Sequence, residues 1–261
     1  MALDALLKRC RAWTHRHLLG TKDLSPNDIT LVLDVAAALA DLKGESLKDT
    51  ARTIESMGVA FTAIRHSASG APSFLSRLVR SSVINAGDGA NEHPTQALLD
   101  LLTMKQALGK VSGLKVALVG DITHSRVARS NLWALQKLGN EVTLVGPSTL
   151  VPKDLPARIT QDFDRALREH DVIMMLRLQL ERQQAGLFPS TSEYVRFFGL
   201  TRERLAMLRP GTIIMHPGPM NRGLEISGEA ADSERSVILN QVTNGVAIRA
   251  AVLLLLSQVN A

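Results

Sequence analysis

The chain has 261 residues, 45% hydrophobic and 21% charged, the make-up of a soluble globular protein with room for two modest α/β domains. Aromatic residues reach only 3% and the basic residues are scattered, so the net charge of +5 admits anionic ligands while neither base-stacking platforms nor a DNA-binding stripe is expected. A single cysteine, Cys10, rules out an internal disulfide and a cysteine metal cluster and reads as inert, and neither a metal nor a cofactor is expected.

In chain order, Ser25-Pro-Asn-Asp28 marks a helix start with proline at its first position, and the helix runs to about Ala40. Gly44 to Thr50 opens a second helix that stops near Gly58. Val59–Ile64 reads as a short apolar strand with Arg65-His66-Ser67 at its C-terminal end, Pro72–Arg80 as a helix, and Ser82–Asn85 as another strand. A loop with two glycines then delivers His93 and Gln96 to the first turn of a helix from Pro94 to about Leu108. Beyond a break near residues 109–114 the alternation resumes. It passes through strand Lys115–Gly120, helix Val127–Leu138, strand Val142–Val145, helix Phe163–Glu169 and strand Val172–Leu176. A helical region ending near Leu208, strand Thr212–Met215 and a helix from roughly Val237 to Gln258 complete it. The run Ala250–Ser257 is too short to span a bilayer and is expected to be a buried helix. No apolar core with a cleavage site stands at the N-terminus, so no signal peptide is expected and the address is cytoplasmic. Regular alternation predicts an α/β protein with two doubly wound parallel sheets.

Several polar residues sit where such sheets place ligands. His93 and Gln96, a neutral imidazole and an amide at a strand's C-terminal edge, suit electrophilic polarisation of a carbonyl better than nucleophilic attack; the alternative is a capping loop with a surface histidine. Arg65 precedes the small-residue loop Ser67-Ala-Ser-Gly70, a place for a cation to meet phosphate or carbonyl oxygen, or for a solvated arginine. Ser125 reads as a cap, and Arg126 lies in the first helical turn, where the dipole disfavours a cation unless an anion is bound. Arg177 and Gln179 share a face if their strand continues, and with Arg126 would make a claw for a dicarboxylate; otherwise they are solvated. His216-Pro-Gly-Pro219 is a rigid non-helical loop that either offers carbonyl oxygens to an amine or amide, or is a plain turn.

Together these motifs resemble the aspartate/ornithine carbamoyltransferase family. The resemblance rests on K-G-E-S at 43–46, R-H-S-A-S-G-A-P at 65–72, H-P-T-Q at 93–96, S-R at 125–126, R-L-Q-L-E-R at 177–182 and H-P-G-P at 216–219. H-P-T-Q, the R-x-Q segment and H-P-G-P favour the aspartate branch. The resemblance implies transfer of the carbamoyl group of carbamoyl phosphate to L-aspartate, in pyrimidine biosynthesis. It implies that Arg65, His93 and Gln96 contact carbamoyl phosphate, with Arg65 and His93 polarising its carbonyl. Arg126, Arg177 and Gln179 would hold the aspartate carboxylates, and Pro217, Gly218 and Pro219 would lie near the reacting groups. Lys43 would reach a neighbouring subunit's aspartate site, which implies a homotrimer, in some assemblies joined by dihydroorotase or regulatory chains. Neither nucleic acid nor membrane is an implied partner. The implied domains are residues 1–110 for carbamoyl phosphate, truncated, 111–236 for aspartate, and 237–261 as a C-terminal helix returning to the first domain.

One departure stands out. Family members carry Ser-Thr-Arg-Thr-Arg-Thr at an early helix N-terminus that cradles phosphate. Here Ala37–Leu42 passes straight into Lys43, and about fifty residues, roughly one strand–helix–strand unit, are absent by comparison. Two readings of the chain are therefore open, an aspartate carbamoyltransferase and a non-catalytic homologue acting as an assembly or scaffold subunit. A nucleotide-binding Rossmann module is disfavoured, because Gly120–Arg126 lacks the G-x-G-x-x-G spacing.

Overall fold

The computed structural model describes residues 47–178 and 190–259; the helix expected over 25–40, Cys10, Lys43 and Gln179 lie outside them. The described chain divides into two units, one of residues 47–62 and 73–82, the other of residues 63–72 and 83–259.

In the smaller unit, helix α1 (Leu47–Ser56) buries Ala51, with Leu47 and Ile54 half-buried at helical spacing on the same side. Strand β1 (Phe61–His66) begins here. The helix expected over 72–80 is shorter: α2 covers only Ala71–Leu75. The Glu55 carboxylate accepts the backbone N–H groups of Arg80 and Ser81, and Ser76 Oγ donates to the Ser73 carbonyl, so this backbone is satisfied without continuing the helix. Ser82 N–H donates to Ala60 O at 3.0 Å and opens strand β2 (Ser82–Asp88), which pairs with β1.

The larger unit holds helix α3 (Pro94–Leu108), strand β3 (Lys115–Val119), helix α4 (Arg126–Lys137) and strands β4 (Glu141–Val145) and β5 (Arg158–Thr160). After these come helix α5 (Phe163–Glu169), strand β6 (Val172–Met175), helices α6 (Thr191–Phe198) and α7 (Arg202–Leu205), strand β7 (Ile213–Met215), helix α8 (Gly228–Ala231) and the long helix α9 (Ile238–Val259). The five strands form a parallel sheet in the order β5-β4-β3-β6-β7. Strands β3 and β6 are buried nearly throughout, which their continuous apolar runs require when both faces are covered. Alternate residues serve opposite faces. Ala117, Val119, Ile173 and Met175 meet Phe163, Leu167 and Tyr194, whereas Val116, Leu118, Val172 and Met174 meet Met104, Leu132 and Leu135.

Further elements depart from the sequence reading, among them β5, β6 and α9, as well as α8, which that reading did not contain. β5 has no apolar pattern to reveal it, being three residues at the sheet edge with Arg158 and Ile159 exposed. β6 ends at Met175, so Arg177 leaves on a loop rather than on an extended strand. Helix α9, expected to be buried over 250–257, is largely exposed, with Leu253 at 42%, Leu254 at 64% and Leu255 at 67%. By length and composition α9 could cross a membrane. Its packed side nevertheless carries polar groups: Gln241 Nε2 donates to Asp100 and Asn244 Nδ2 to Thr103 on α3, at 2.8 and 2.9 Å. Those bonds turn Val242 and Val246 outward.

Replacing Val242 by Ser should therefore change stability by no more than ~0.5 kcal/mol. Leu118→Ala, in the sheet core, should cost ~2–5 kcal/mol. Urea unfolding of the two variants checks both values, and equal losses would show that α9 is covered in solution.

Candidate active site

The strand order reverses at β3: the chain proceeds from β3 through β4 to β5 on one side, then returns to place β6 and β7 on the other. Such a reversal leaves a crevice at the C-terminal ends of the strands, because the loops leaving β3 and β6 turn in opposite directions. The loop after β3 carries Ser125 and Arg126, the loop after β6 carries Arg177, and the loop after β7 carries Pro217, Gly218 and Pro219. These residues line a cleft of about 320 Å³ with Arg65, His93, Gln96, Val127 and Arg249. Eight of the ten residues named for the site from sequence thus come together; Lys43 and Gln179 lie outside the described residues.

Each wall has a local cause. Asp88, buried at the end of β2, accepts Gly70 N–H (2.6 Å), Asn85 Nδ2 (2.8 Å), Asn91 Nδ2 (3.0 Å) and Glu92 N–H (3.1 Å). Burial alone would push this carboxyl up, but those donors outweigh it and hold it below its ordinary range. Asp88 thereby ties the loop after Arg65 to the loop before His93. His93 is the N-cap residue of α3, with Pro94 at the first helical position. Its N–H donates to Ser130 Oγ on α4 at 2.8 Å, and that hydroxyl donates to Glu92 at 2.7 Å.

Arg126 opens α4 behind the Ser125 cap, whose Oγ accepts Ala128 N–H at 3.1 Å. Its guanidinium lies across Gly87, whose φ is +114°; a Cβ there would stand 2.7 Å from Arg126 Nε. Gly87 is thus required both by its own backbone and by the passage of the arginine. On the far wall His216 is fully buried. Its Nδ1 accepts Gly218 N–H at 2.9 Å, which leaves Nε2–H to donate to Glu225 Oε1 at 3.2 Å. The loop is thereby held with the Pro217–Pro219 backbone at the cleft.

Arg249 was not singled out from sequence. It is the one charged residue in the 22 of α9, and its guanidinium folds back over Gly245, where a Cβ would meet Nη1 at 2.7 Å. A lone arginine with a glycine one turn earlier, in an otherwise uncharged helix, was the available signal.

Among the described residues four guanidinium groups and no carboxylate line the cleft, which therefore suits a ligand with several negative charges. Burial, then the charges of Arg126, Arg65 and Arg249, push the His93 pKa down to about 4. At neutral pH the ring is uncharged and can donate a hydrogen bond to an oxygen without giving up a proton.

An NMR titration should find His93 protonating near pH 4, and Arg126→Ala should move that value towards 6.5. Because the folded pKa lies below the unfolded one, the unfolded chain binds this proton more tightly. The contribution to folding is therefore complete above pH 6.5 and is lost as pH falls through 4. An ordinary titration near 6.5 would mean that His93 is neither buried nor faced by the arginines.

The family model for the carbamoyl-phosphate-binding domain of aspartate/ornithine carbamoyltransferases matches residues 38–106, and that for the Asp/Orn-binding domain matches 112–256. The aspartate carbamoyltransferase catalytic subunit of Pelotomaculum thermopropionicum is 54% identical over 242 residues, covering 92% of this chain and 77% of the relative. That of Syntrophotalea carbinolica is 45% identical over 302 positions, covering 94% and 96%; the alignment is longer than this chain, so it opens gaps within it. Among solved structures, aspartate transcarbamoylase from Trypanosoma cruzi in complex with carbamoyl phosphate and aspartate is 30% identical. It superposes with a TM-score of 0.73 over 83% of this chain and 71% of that one. By sequence and by fold, the chain belongs to the aspartate/ornithine carbamoyltransferase family.

Proposed function

We propose that the cleft transfers the carbamoyl group of carbamoyl phosphate to the amine of L-aspartate, giving N-carbamoyl-L-aspartate and phosphate in pyrimidine biosynthesis. The observation that carries this reading is one cleft, at the strand-order reversal, that combines four guanidinium groups, a neutral imidazole and the Pro217–Pro219 loop. In this reading Arg65 and His93 hydrogen-bond the carbamoyl oxygen and stabilise the negative charge it gains as the amine attacks. Gln96 holds the carbamoyl end. Arg126 and Arg177 grip the two carboxylates, and the Pro217 and Gly218 carbonyls, with Pro219 beside them, accept from the amine. Surrounding cations lower the pKa of the aspartate ammonium, which favours the free amine that attacks. A nitrogen–carbon bond forms, the carbon–oxygen bond to phosphate breaks, and the amine proton leaves with phosphate. Nothing in this sequence calls for a covalent enzyme intermediate; positioning and charge do the work.

The domain division into 1–110, 111–236 and 237–261 belongs to the same reading, as do Gln179 in the aspartate claw and a cytoplasmic setting. So does a homotrimer in which Lys43 completes a neighbour's site. The non-catalytic alternative has the missing phosphate cradle in its favour; the converged arginines and the neutral His93 favour catalysis.

A colorimetric assay of carbamoyl aspartate tests the assignment. His93→Ala should lower kcat by ~10²–10³-fold, the cost of one donor to a developing oxyanion. Arg177→Ala should raise KM for aspartate by ~10²-fold, as two charge-assisted bonds of ~1.5 kcal/mol each are lost. If ornithine outcompetes aspartate, the substrate assignment fails.

The trimer has its own measurement. Lys43→Ala and His93→Ala subunits, each impaired, should recover activity when mixed and reassembled, since some sites then receive both intact groups. Self-sufficient subunits would show no recovery.

A further inference from the structure

Beneath the cleft three side-chain amides converge on one carboxylate. Asp100 lies on α3, one turn beyond Gln96, and is completely buried. Its Oδ1 accepts Gln96 Nε2 at 3.0 Å and Gln241 Nε2 at 2.8 Å, and its Oδ2 accepts Asn131 Nδ2 at 2.8 Å. Gln241 in turn uses its Oε1 to accept the His216 N–H at 2.9 Å. His216 accepts Gly218 N–H, so one continuous chain of hydrogen bonds joins Gln96 on one wall of the cleft to Gly218 on the other.

The chain has a direction, and Asp100 sets it. Asp100 meets three amide N–H donors, the partners of a carboxylate, which can only accept, although burial pushes its pKa up to about 6. Both glutamines must therefore turn their NH2 groups towards it. For Gln241 this leaves Oε1 to meet the His216 N–H, as observed. For Gln96 it leaves Oε1 as the end of the amide available to the cleft. A carbonyl oxygen at that place accepts from an NH2 group and gains nothing from a methyl group of the same size.

We propose that Asp100 is a positioning residue for substrate selection: by fixing the Gln96 amide with its oxygen towards the cleft, it makes the site choose the NH2 of a carbamoyl phosphate over the CH3 of an acyl phosphate. The inference rests on the carbamoyl transfer reading above and adds to it a residue that never touches substrate. In Asp100→Asn the side chain presents a donor as well as an acceptor. Gln96 can then pair with its oxygen turned inward and its NH2 turned to the cleft, where it opposes a carbamoyl NH2.

The test is competition by carbamoyl phosphate and by acetyl phosphate for the cleft, read from His93 imidazole shifts, with inorganic phosphate as the control. The unmodified protein should prefer carbamoyl to acetyl phosphate by at least tenfold. Asp100→Asn should erase most of that preference while binding inorganic phosphate as before. Equal weakening of all three ligands would mean that Asp100 only supports the fold, and a retained preference would overturn the proposal. Absence of any preference in the unmodified protein would instead count against the carbamoyl transfer reading itself. Should Asp100→Asn fail to fold, the unmodified protein still decides the matter. The Gln96 and Gln241 side-chain NH2 groups share one acceptor oxygen, so a nuclear Overhauser effect should connect them and the Gln96 amide protons should exchange slowly with water. Fast exchange without that connection would show the amide turned the other way.

Discussion

The reversal of strand order at β3 is the constraint on which the site depends. A parallel sheet that grows in one direction leaves its C-terminal edge closed by successive connections; one that turns back opens a crevice where two connections diverge. Here those connections begin immediately after Val119 and Met175, and they carry Arg126 and Arg177. The two cations face one cleft because β3 and β6 are neighbours in register, with Val119 beside Met175. The apolar sheet core and the polar site are consequences of the same pairing.

A cleft of like charges must be built against its own repulsion. Two unit charges about 4 Å apart repel by ~4 kcal/mol at an effective dielectric near 20, and a cation at a helix N-terminus is opposed by the dipole as well. Arg126 bears both penalties and is nearly buried, at 7% exposure. Its position depends on packing: the Ser125 cap starts its helix, and the bare α-carbon of Gly87 leaves room for its guanidinium. A bound polyanion relieves the repulsion, so the cost of assembling the free site becomes selectivity for the charged ligand. Burial and the same field together keep His93 neutral, and a neutral ring is the form that polarises a carbonyl without first losing a proton.

The carboxylates around the cleft have a different task. Asp88 takes its bonds from backbone and asparagine N–H groups, Asp100 from three amides, and Glu225 from His216 and Asn221. Two of them join separate segments: Asp88 joins the loop after β1 to the loop before α3, and Asp100 joins α3, α4 and α9, whereas Glu225 closes its own loop. Acceptor-only groups suit this role because they dictate which end of each neighbouring amide faces them.

Sequence alone determined the elements whose pattern is local. β3, β4 and β6 are legible as apolar runs, α4 from its serine cap and α3 from its proline, and Arg65, His93, Arg126 and Arg177 from their places at strand ends and helix starts. Tertiary structure decided what depends on a distant neighbour. The edge strand β5 has no apolar signature and exists through pairing with β4; α2 stops at Leu75, and Glu55 takes up the N–H groups of Arg80 and Ser81. The composition of α9 tells how apolar it is, but not that Asp100 and Thr103 would draw its Gln241 and Asn244 inward and leave Val242 and Val246 outside. That rotation also carries Arg249 to the cleft. A buried hydrogen bond between residues 141 positions apart has no trace in local periodicity, because its energy is realised only once both partners have left water together.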